Sequence, residues 1–205
     1  MVQTRITPWF FWCLAVLVLL TVAYAAIVLK VGVPSALRPS FDDQPWWFRI
    51  HIGCGVIALL FGLLQFHAGF RRRWTLWHRR LGLVYLVMVI ASGVAGFILS
   101  FSSATGVISD WGFRLLSIFW IATTVIAYWR IMNRDIAHHR EWMVRSYALT
   151  LAAVTLRLEL TVGLMVTNGA FDVVYPIIAY ACWIPNLLVA EVWIRWTRIK
   201  PVASR

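Results

Sequence analysis

Three histidines in this chain head stripes of small and polar residues: His51-Gly55-Ala58-Gly62-Gln65, His78-Gly82-Tyr85-Val89-Ser92-Gly96 and His139-Met143-Ser146-Thr150-Ala153-Arg157. Each stripe steps by four then three, so each runs along one helix face. Small residues let membrane helices approach closely, and an imidazole on such a seam is placed to bind something. The chemistry that fits His78 and His139 is axial ligation of a b-type haem, since neutral imidazole binds iron well and facing helices commonly supply such pairs. Gly82, Gly93 and Gly96 could leave room for the macrocycle, and Arg79, Arg80 and Arg145 could meet its propionates. The plainer reading makes these histidines interfacial groups that meet headgroups and water. A non-haem metal site would draw on His67, His78, His138, His139 and Glu141. The adjacent His138-His139 pair lacks the His-x-x-x-His spacing that puts two ligands on one helix face.

A second polar layer collects His51, Gln65, Arg157 and Glu159. A quinone would suit it, because a flat apolar ring with two carbonyls needs hydrogen-bond donors and a proton carrier. The plainer alternative is an internal Arg–Glu or Arg–Asp pair that only fixes helix packing. Tyr85 and Met143 read as packing residues on residue type alone. So do Trp120 and Trp183.

These stripes need membrane helices to carry them. The chain has 205 residues, 61% hydrophobic and 13% charged, with a mean hydropathy of +0.78, against roughly half apolar and a quarter charged in soluble domains. Six apolar spans are expected, at about 9–29, 47–70, 81–101, 111–132, 142–166 and 173–194. The fold class is therefore an all-α integral membrane bundle. It forms one domain over 1–205: an anchor helix and exterior linker at 1–46, a core at 47–195 and a basic tail at 196–205. Spans two, three and five should form the functional centre, supported by six, with one and four peripheral. Ala23-Tyr24-Ala25 mimics a signal-peptidase site, but the apolar run continues to Leu29, which favours an uncleaved anchor.

The net charge of +11 would admit nucleic acid, but its distribution argues for lipid headgroups. Arginines cluster at 71–73, 79–80, 130–145 and 195–205, in short segments flanking apolar runs. Exterior linkers hold mainly Lys30, Arg38 and Arg49. By the positive-inside rule both termini are expected in the cytoplasm, with the protein in a bacterial inner membrane. Trp46, Trp47, Trp74, Trp77, Trp111, Trp142, Trp193 and Trp196 fall near span ends as an aromatic belt. Cys13, Cys54 and Cys182 share no motif spacing, so no disulfide framework or cysteine metal site is expected.

Several blocks together resemble a known family. They are His-Ile-Gly at His51, Leu-Gln-Phe at Gln65, Leu-Trp-His-Arg-Arg-Leu-Gly-Leu-Val-Tyr through His78 to Tyr85, and His-Arg-Glu-Trp-Met-Val-Arg-Ser-Tyr-Ala-Leu from His139. Leu-Arg-Leu at Arg157 and Pro-Asn-Leu-Leu-Val-Ala-Glu from Pro185 to Glu191 follow. Over about 47–195 the chain resembles the bacterial multi-pass membrane family catalogued as domain of unknown function 2306. The resemblance implies a membrane location and recurring polar positions at His51, Gln65, His78, Arg79, Tyr85, His139, Arg145, Arg157, Asn186 and Glu191. A weaker likeness runs to cytochrome b561-type haem bundles. Those place histidine pairs at both membrane faces, whereas here the outer layer has His51 alone.

The expected function is redox: one b haem on His78 and His139, exchanging electrons with a quinone-like partner held by His51 and Arg157. Arg79, Arg145, Tyr85 and Gln65 complete the expected cofactor-facing set. A small proton-coupled transporter would instead use Arg157, Glu159 and Glu191 as a path. A structural or assembly subunit would use the small-residue faces to join another chain or a second copy. No phosphate loop, dinucleotide fingerprint or Ser-His-Asp set is present.

Overall fold

The computed structural model describes residues 8–32, 42–102 and 105–199. The expectations for Arg38 in the exterior linker and for the tail from Lys200 onward lie outside these residues. All regular structure among the described residues is helical: α1 (Pro8–Val31), α2 (Pro45–Phe66), α3 (Ala68–Arg73), α4 (Thr75–Leu99), α5 (Val107–Met132), α6 (Ile136–Thr150), α7 (Ala152–Val166), α8 (Phe171–Ala181) and α9 (Ile184–Ile199). Six helical stretches are long and apolar enough to cross a membrane; the fifth joins α6 to α7, and the sixth joins α8 to α9. Spans three and five begin earlier than the hydropathy suggested, so His78 and His139 lie within helices, near their N-terminal ends.

Glycines set the helix spacing. The most extensive contact is between α2 and α4, which pack antiparallel in one constant register. A methyl group added at Gly55 would lie 3.2 Å from the Ser92 hydroxyl, one at Gly82 3.7 Å from Gln65 Oε1, and one at Gly96 3.0 Å from His51 Nδ1. At Gly62 it would come within 2.5 Å of Tyr147 Cδ2 and 3.0 Å of the Tyr85 ring. Gly93 does the same for Ile121 at the α4–α5 contact, and Gly112 for Ala179 at the α5–α8 contact. In lipid this close approach supplies the van der Waals contact that the hydrophobic effect supplies in water.

Span four is central, contrary to its expected place at the periphery. Helix α5 packs on α4, α6 and α8 and buries Gly112, Ser117, Trp120, Thr123, Thr124 and Ala127. It carries no histidine, which is why attention to histidine stripes passed over it. Helix α1 packs mainly on α2 and α7 and buries a narrow stripe at Ala15, Val18, Thr21, Ala25 and Val28.

The fifth and sixth spans are interrupted rather than continuous. The first break is at Leu151, whose carbonyl accepts from both the Val154 amide at 2.8 Å and the Thr155 amide at 3.1 Å, a local tightening of the ladder, while the Thr155 hydroxyl donates across to the Cys182 carbonyl. The second is at Cys182–Trp183. Pro185 cannot donate to the Ala181 carbonyl four residues back, so the ladder is lost there. The two breaks face each other and are stitched by one side chain. Asn186 Nδ2 lies 3.0 Å from the Cys182 carbonyl, 3.1 Å from Thr155 Oγ1 and 3.3 Å from the Ala148 carbonyl, and shares its two protons among these three acceptors.

Gly62→Ala should destabilise the bundle by about 1–3 kcal/mol through overpacking, read as a lower thermal midpoint in detergent. Gly53→Ala, which meets nothing within 4 Å, should leave that midpoint unchanged or slightly raised.

Candidate functional site

The three stripes do face the interior. Tyr85, Val89, Ser92 and Ser146 are fully buried, and Gln65 and Thr150 nearly so. At mid-membrane their side chains build a closed knot of hydroxyls. The Tyr85 phenol lies 2.7 Å from Ser146 Oγ and 2.9 Å from Thr150 Oγ1. Trp120 Nε1 donates to Thr150 Oγ1 at 2.9 Å, and Thr150 donates to the Ser146 carbonyl at 2.9 Å. Thr124 donates to the Trp120 carbonyl at 2.8 Å and lies 2.6 Å from Ser146 Oγ. With Thr124's proton so committed, Ser146 donates to Thr124 and Tyr85 donates into the Ser146–Thr150 pair. Every proton is used, so the knot ties α4, α5 and α6 together as structure. Tyr147 adds a bond from its hydroxyl to the Leu59 carbonyl at 3.2 Å, which fastens α6 to α2.

Beyond the knot, toward the end of the bundle away from the arginine clusters, lies a cavity of about 250 Å³. His51, Ser92, Ser117, Arg157 and Tyr175 supply its polar wall, Trp120 and Thr150 lie on its knot side, and most of the remaining surface is apolar. His51 and Ser92 hold each other in a reciprocal clasp. The imidazole Nδ1 lies 3.0 Å from the Ser92 carbonyl, and the Ser92 hydroxyl donates to the His51 carbonyl at 2.8 Å. A carbonyl only accepts, so Nδ1 carries a proton, and in the neutral form of the ring the lone pair sits on Nε2.

Arg157 is partnered by no carboxylate among the described residues. One guanidinium nitrogen donates to the Ala153 carbonyl, Cζ lies 5.2 Å from the Tyr24 ring centroid, and Nε is buried without a hydrogen-bond partner. The membrane-internal ion pair lies elsewhere, between Arg145 and Glu191, joined in a two-pronged contact that includes Nη2–Oε2 at 3.1 Å. Gln65 and Glu159 do not line the cavity. Gln65 sits deeper beside Gly82 with its Nε2 unpartnered, and Glu159 buries Oε2 without a partner.

The opposite end, the basic face, carries the other histidines and most of the arginines. His139 Nδ1 lies 2.8 Å from the Ala127 carbonyl and so donates to it, which leaves Nε2 as its lone pair. That is the outer bond that orients a metal-ligating imidazole. His78 is half-buried, and its Nδ1 is buried with no partner. The donor chemistry of this pair fits axial haem ligation. Arg79 is exposed and forms no salt bridge among the described residues, whereas Arg145 is committed to Glu191 and Tyr85 to the hydroxyl knot. His67 accepts from the Phe70 amide at 3.0 Å and caps α3. His138 lies 2.8 Å from the Asp135 carboxylate, and this bond is the main reason the Asp135 pKa falls below the usual carboxylate range. Glu141 pairs with Arg198. No three His, Cys, Asp or Glu side chains among the described residues converge as a metal site, and His67, His138 and Glu141, expected for a non-haem metal, are engaged in these other contacts.

A family model described as predicted membrane protein (DUF2306) matches residues 48–194. The chain belongs to the DUF2306 family. The match includes the hydroxyl knot, His51, Arg157 and the basic-face histidines, and it leaves out α1. No curated protein and no solved structure matches the chain, so the likeness to b561-type bundles gains no support beyond the histidines themselves. The DUF2306 segment therefore supplies five of the six apolar helices, while α1 adds Thr21 and Ala25 to the cavity wall and Tyr24 to Arg157.

Sequence reasoning missed Thr124, Ser117, Tyr175 and Tyr24, and it took Trp120 for packing alone. The signal for Thr124 was present as Thr123-Thr124 inside an apolar run, where an unpaired hydroxyl is costly. Tyr85→Phe should lower stability by about 0.5–2 kcal/mol, because it removes one buried hydroxyl and leaves its partners to re-pair. Chemical unfolding in mixed micelles would measure it, and far-ultraviolet circular dichroism should show helix content unchanged.

Proposed function

We propose that the protein is a redox membrane protein that binds a quinone-like molecule in the His51–Arg157 cavity. The observation that carries this reading is an apolar cavity whose polar wall offers an uncommitted imidazole nitrogen and an arginine with no acidic partner. Binding sites for small apolar molecules have this form, with few polar groups that fix orientation. The volume suits a ring-sized headgroup, with any isoprenoid tail left among the helices or in lipid. Arg157 would donate to one carbonyl of the ring and stabilise negative charge as the ring gains electrons. His51 would deliver or take a proton at Nε2, held in place by the Ser92 clasp.

The finer part of the proposal places a b-type haem on His78 and His139 near the basic face. Such a haem, when bound, supplies one-electron transfer. The residues' own part is orientation: the Ala127 carbonyl fixes the His139 ring, and the exposed Arg79 side chain offers a partner for a propionate. The basic face would be cytoplasmic in a bacterial inner membrane, in keeping with the positive-inside rule.

One observation favours a second reading, transport. The breaks at Leu151 and Cys182–Trp183 lie in adjacent spans beside the cavity, and interrupted helices often mark the binding site of a carrier. Flux into proteoliposomes that is lost in Arg157→Ala would support it.

The test is a reduced-minus-oxidised visible spectrum together with equilibrium binding of a short-chain benzoquinone, on protein expressed with ample haem. A b-type spectrum should vanish in His78→Ala and His139→Ala. Quinone affinity should fall about tenfold or more in Arg157→Ala, the loss expected for one charge-assisted hydrogen bond. A flat spectrum in folded protein would remove the haem, and unchanged quinone affinity in both Arg157→Ala and His51→Ala would remove the pocket.

A further inference from the structure

The chain has eight acids, and seven have an evident place. Asp135 pairs with Arg130 and His138, Glu141 with Arg198, and Glu191 with Arg145. Asp42 and Asp43 precede α2, and Asp110 and Asp172 stand in the first turns of α5 and α8, where the helix dipole favours negative charge. Glu159 of α7 is the eighth. It forms no salt bridge or hydrogen bond among the described residues, and its Oε2 is buried.

Two contacts, one turn to either side of Glu159, fix what it meets. The Thr155 hydroxyl donates to the Cys182 carbonyl. A methyl group added at Gly163 would lie 2.5 Å from Val174 Cγ1. Thr155, Glu159 and Gly163 step by four along one face of α7, and Val174, Ile178 and Cys182 do the same along the sixth span. The two helices therefore run antiparallel in one register, and Glu159 stands opposite Ile178. That wall is apolar and closed: Val174, Ile178 and Cys182 are all buried. The Cys182 thiol, one turn from Ile178, is the titratable group that faces Glu159 from the sixth span. On the other elements packed against α7, Tyr24 of α1 lies on Arg157, and Arg145 of α6 is paired with Glu191. Arg157 itself is two residues earlier, about 200° around the helix, and lines the cavity instead.

An ionised carboxylate with no partner is costly inside a span. Glu159 lies about 10 Å from the Val166 end of α7 at 1.5 Å per residue. Leu158 and Val162 beside it are apolar and about half or more exposed, as lipid-facing residues are. A bound proton removes the charge and most of that cost. Glu159 is itself only half-buried, so its carboxyl can be reached from the lipid side of the seam. We propose that Glu159 is a proton-binding site on the lipid-facing edge of the α7–α8 seam, which holds its proton at neutral pH and exchanges it from that edge. A glutamine would fill the same space without the cost, and what the carboxyl adds is the capacity to release a proton. This inference does not rest on the quinone or haem readings, since Glu159 lines neither site.

The test is labelling of the protein in lipid nanodiscs with the lipophilic reagent dicyclohexylcarbodiimide, read by peptide mass spectrometry, alongside infrared spectra taken through a pH titration. In the labelling the protonated carboxyl gives its proton to a carbodiimide nitrogen and its oxygen bonds to the central carbon, so nothing leaves. The adduct should form on Glu159 near neutral pH, be lost as the medium is made alkaline, and be absent from the other acids. The infrared band of a protonated carboxyl should disappear in Glu159→Gln, whose thermal midpoint should match the wild type because the amide mimics the neutral acid. The wild-type labelling is decisive without the variant if that variant fails to fold. A band unchanged in a folded Glu159→Gln would mean that the group is ionised and would overturn the proposal. The band without any adduct would overturn exchange at the lipid edge, and adducts spread evenly over the acids would overturn a distinct site.

Discussion

The bilayer offers no hydrogen bonds, and the Tyr85 hydroxyl is where this chain meets that constraint most directly. Its ring sits against Gly62 of α2, its oxygen reaches Ser146 and Thr150 of α6, and those hydroxyls engage Thr124 and Trp120 of α5. One side chain of α4 therefore touches or bonds to two other helices and reaches a third through their hydroxyls. The geometry works only because Gly62 has no side chain, which lets α2 and α4 come close enough for the phenol to span the remaining gap. The antiparallel register then follows down the seam, and it brings Ser92 to His51 at one end and Gly82 to Gln65 at the other. What looks like three separate histidine stripes is one packing solution repeated along its length.

Most of the architecture was legible in the sequence because its signal is one-dimensional. Hydropathy marks six spans whatever they pack against, and the four–three stepping of the stripes reports the buried face of α2, α4 and α6. The interior role of α5 was harder to see. Its buried face is written in Ser117, Thr123 and Thr124, residues that a hydropathy scan averages away and that only matter once a partner hydroxyl is opposite. The two interruptions show the same division. Pro185 announces the break in the sixth span, while the break at Leu151 has no proline or glycine and depends on Thr155 and Asn186 meeting across two helices. Site residues follow suit. His51 and Arg157 could be placed at one depth by counting residues, but the clasp with Ser92 and the Tyr24 ring beneath the guanidinium are tertiary facts.

The polar groups divide into those the fold has satisfied and those it has left open, and the division is spatially ordered. At the centre the hydroxyl knot is complete, and a fully bonded network inside a low-dielectric medium is rigid and has no capacity left for a ligand. The Arg145–Glu191 pair is likewise closed. Toward the His51 end, Arg157 buries a nitrogen without a partner, and toward the basic face so do Gln65 and His78. A buried group left without a partner costs on the order of 1–3 kcal/mol, and such a cost persists in a fold when something outside the chain meets it. The complete network thus separates two incomplete ones, each facing a different side of the membrane. Capacity to bond a further group therefore remains at Arg157 and at His78, and none is left at the more deeply buried Tyr85.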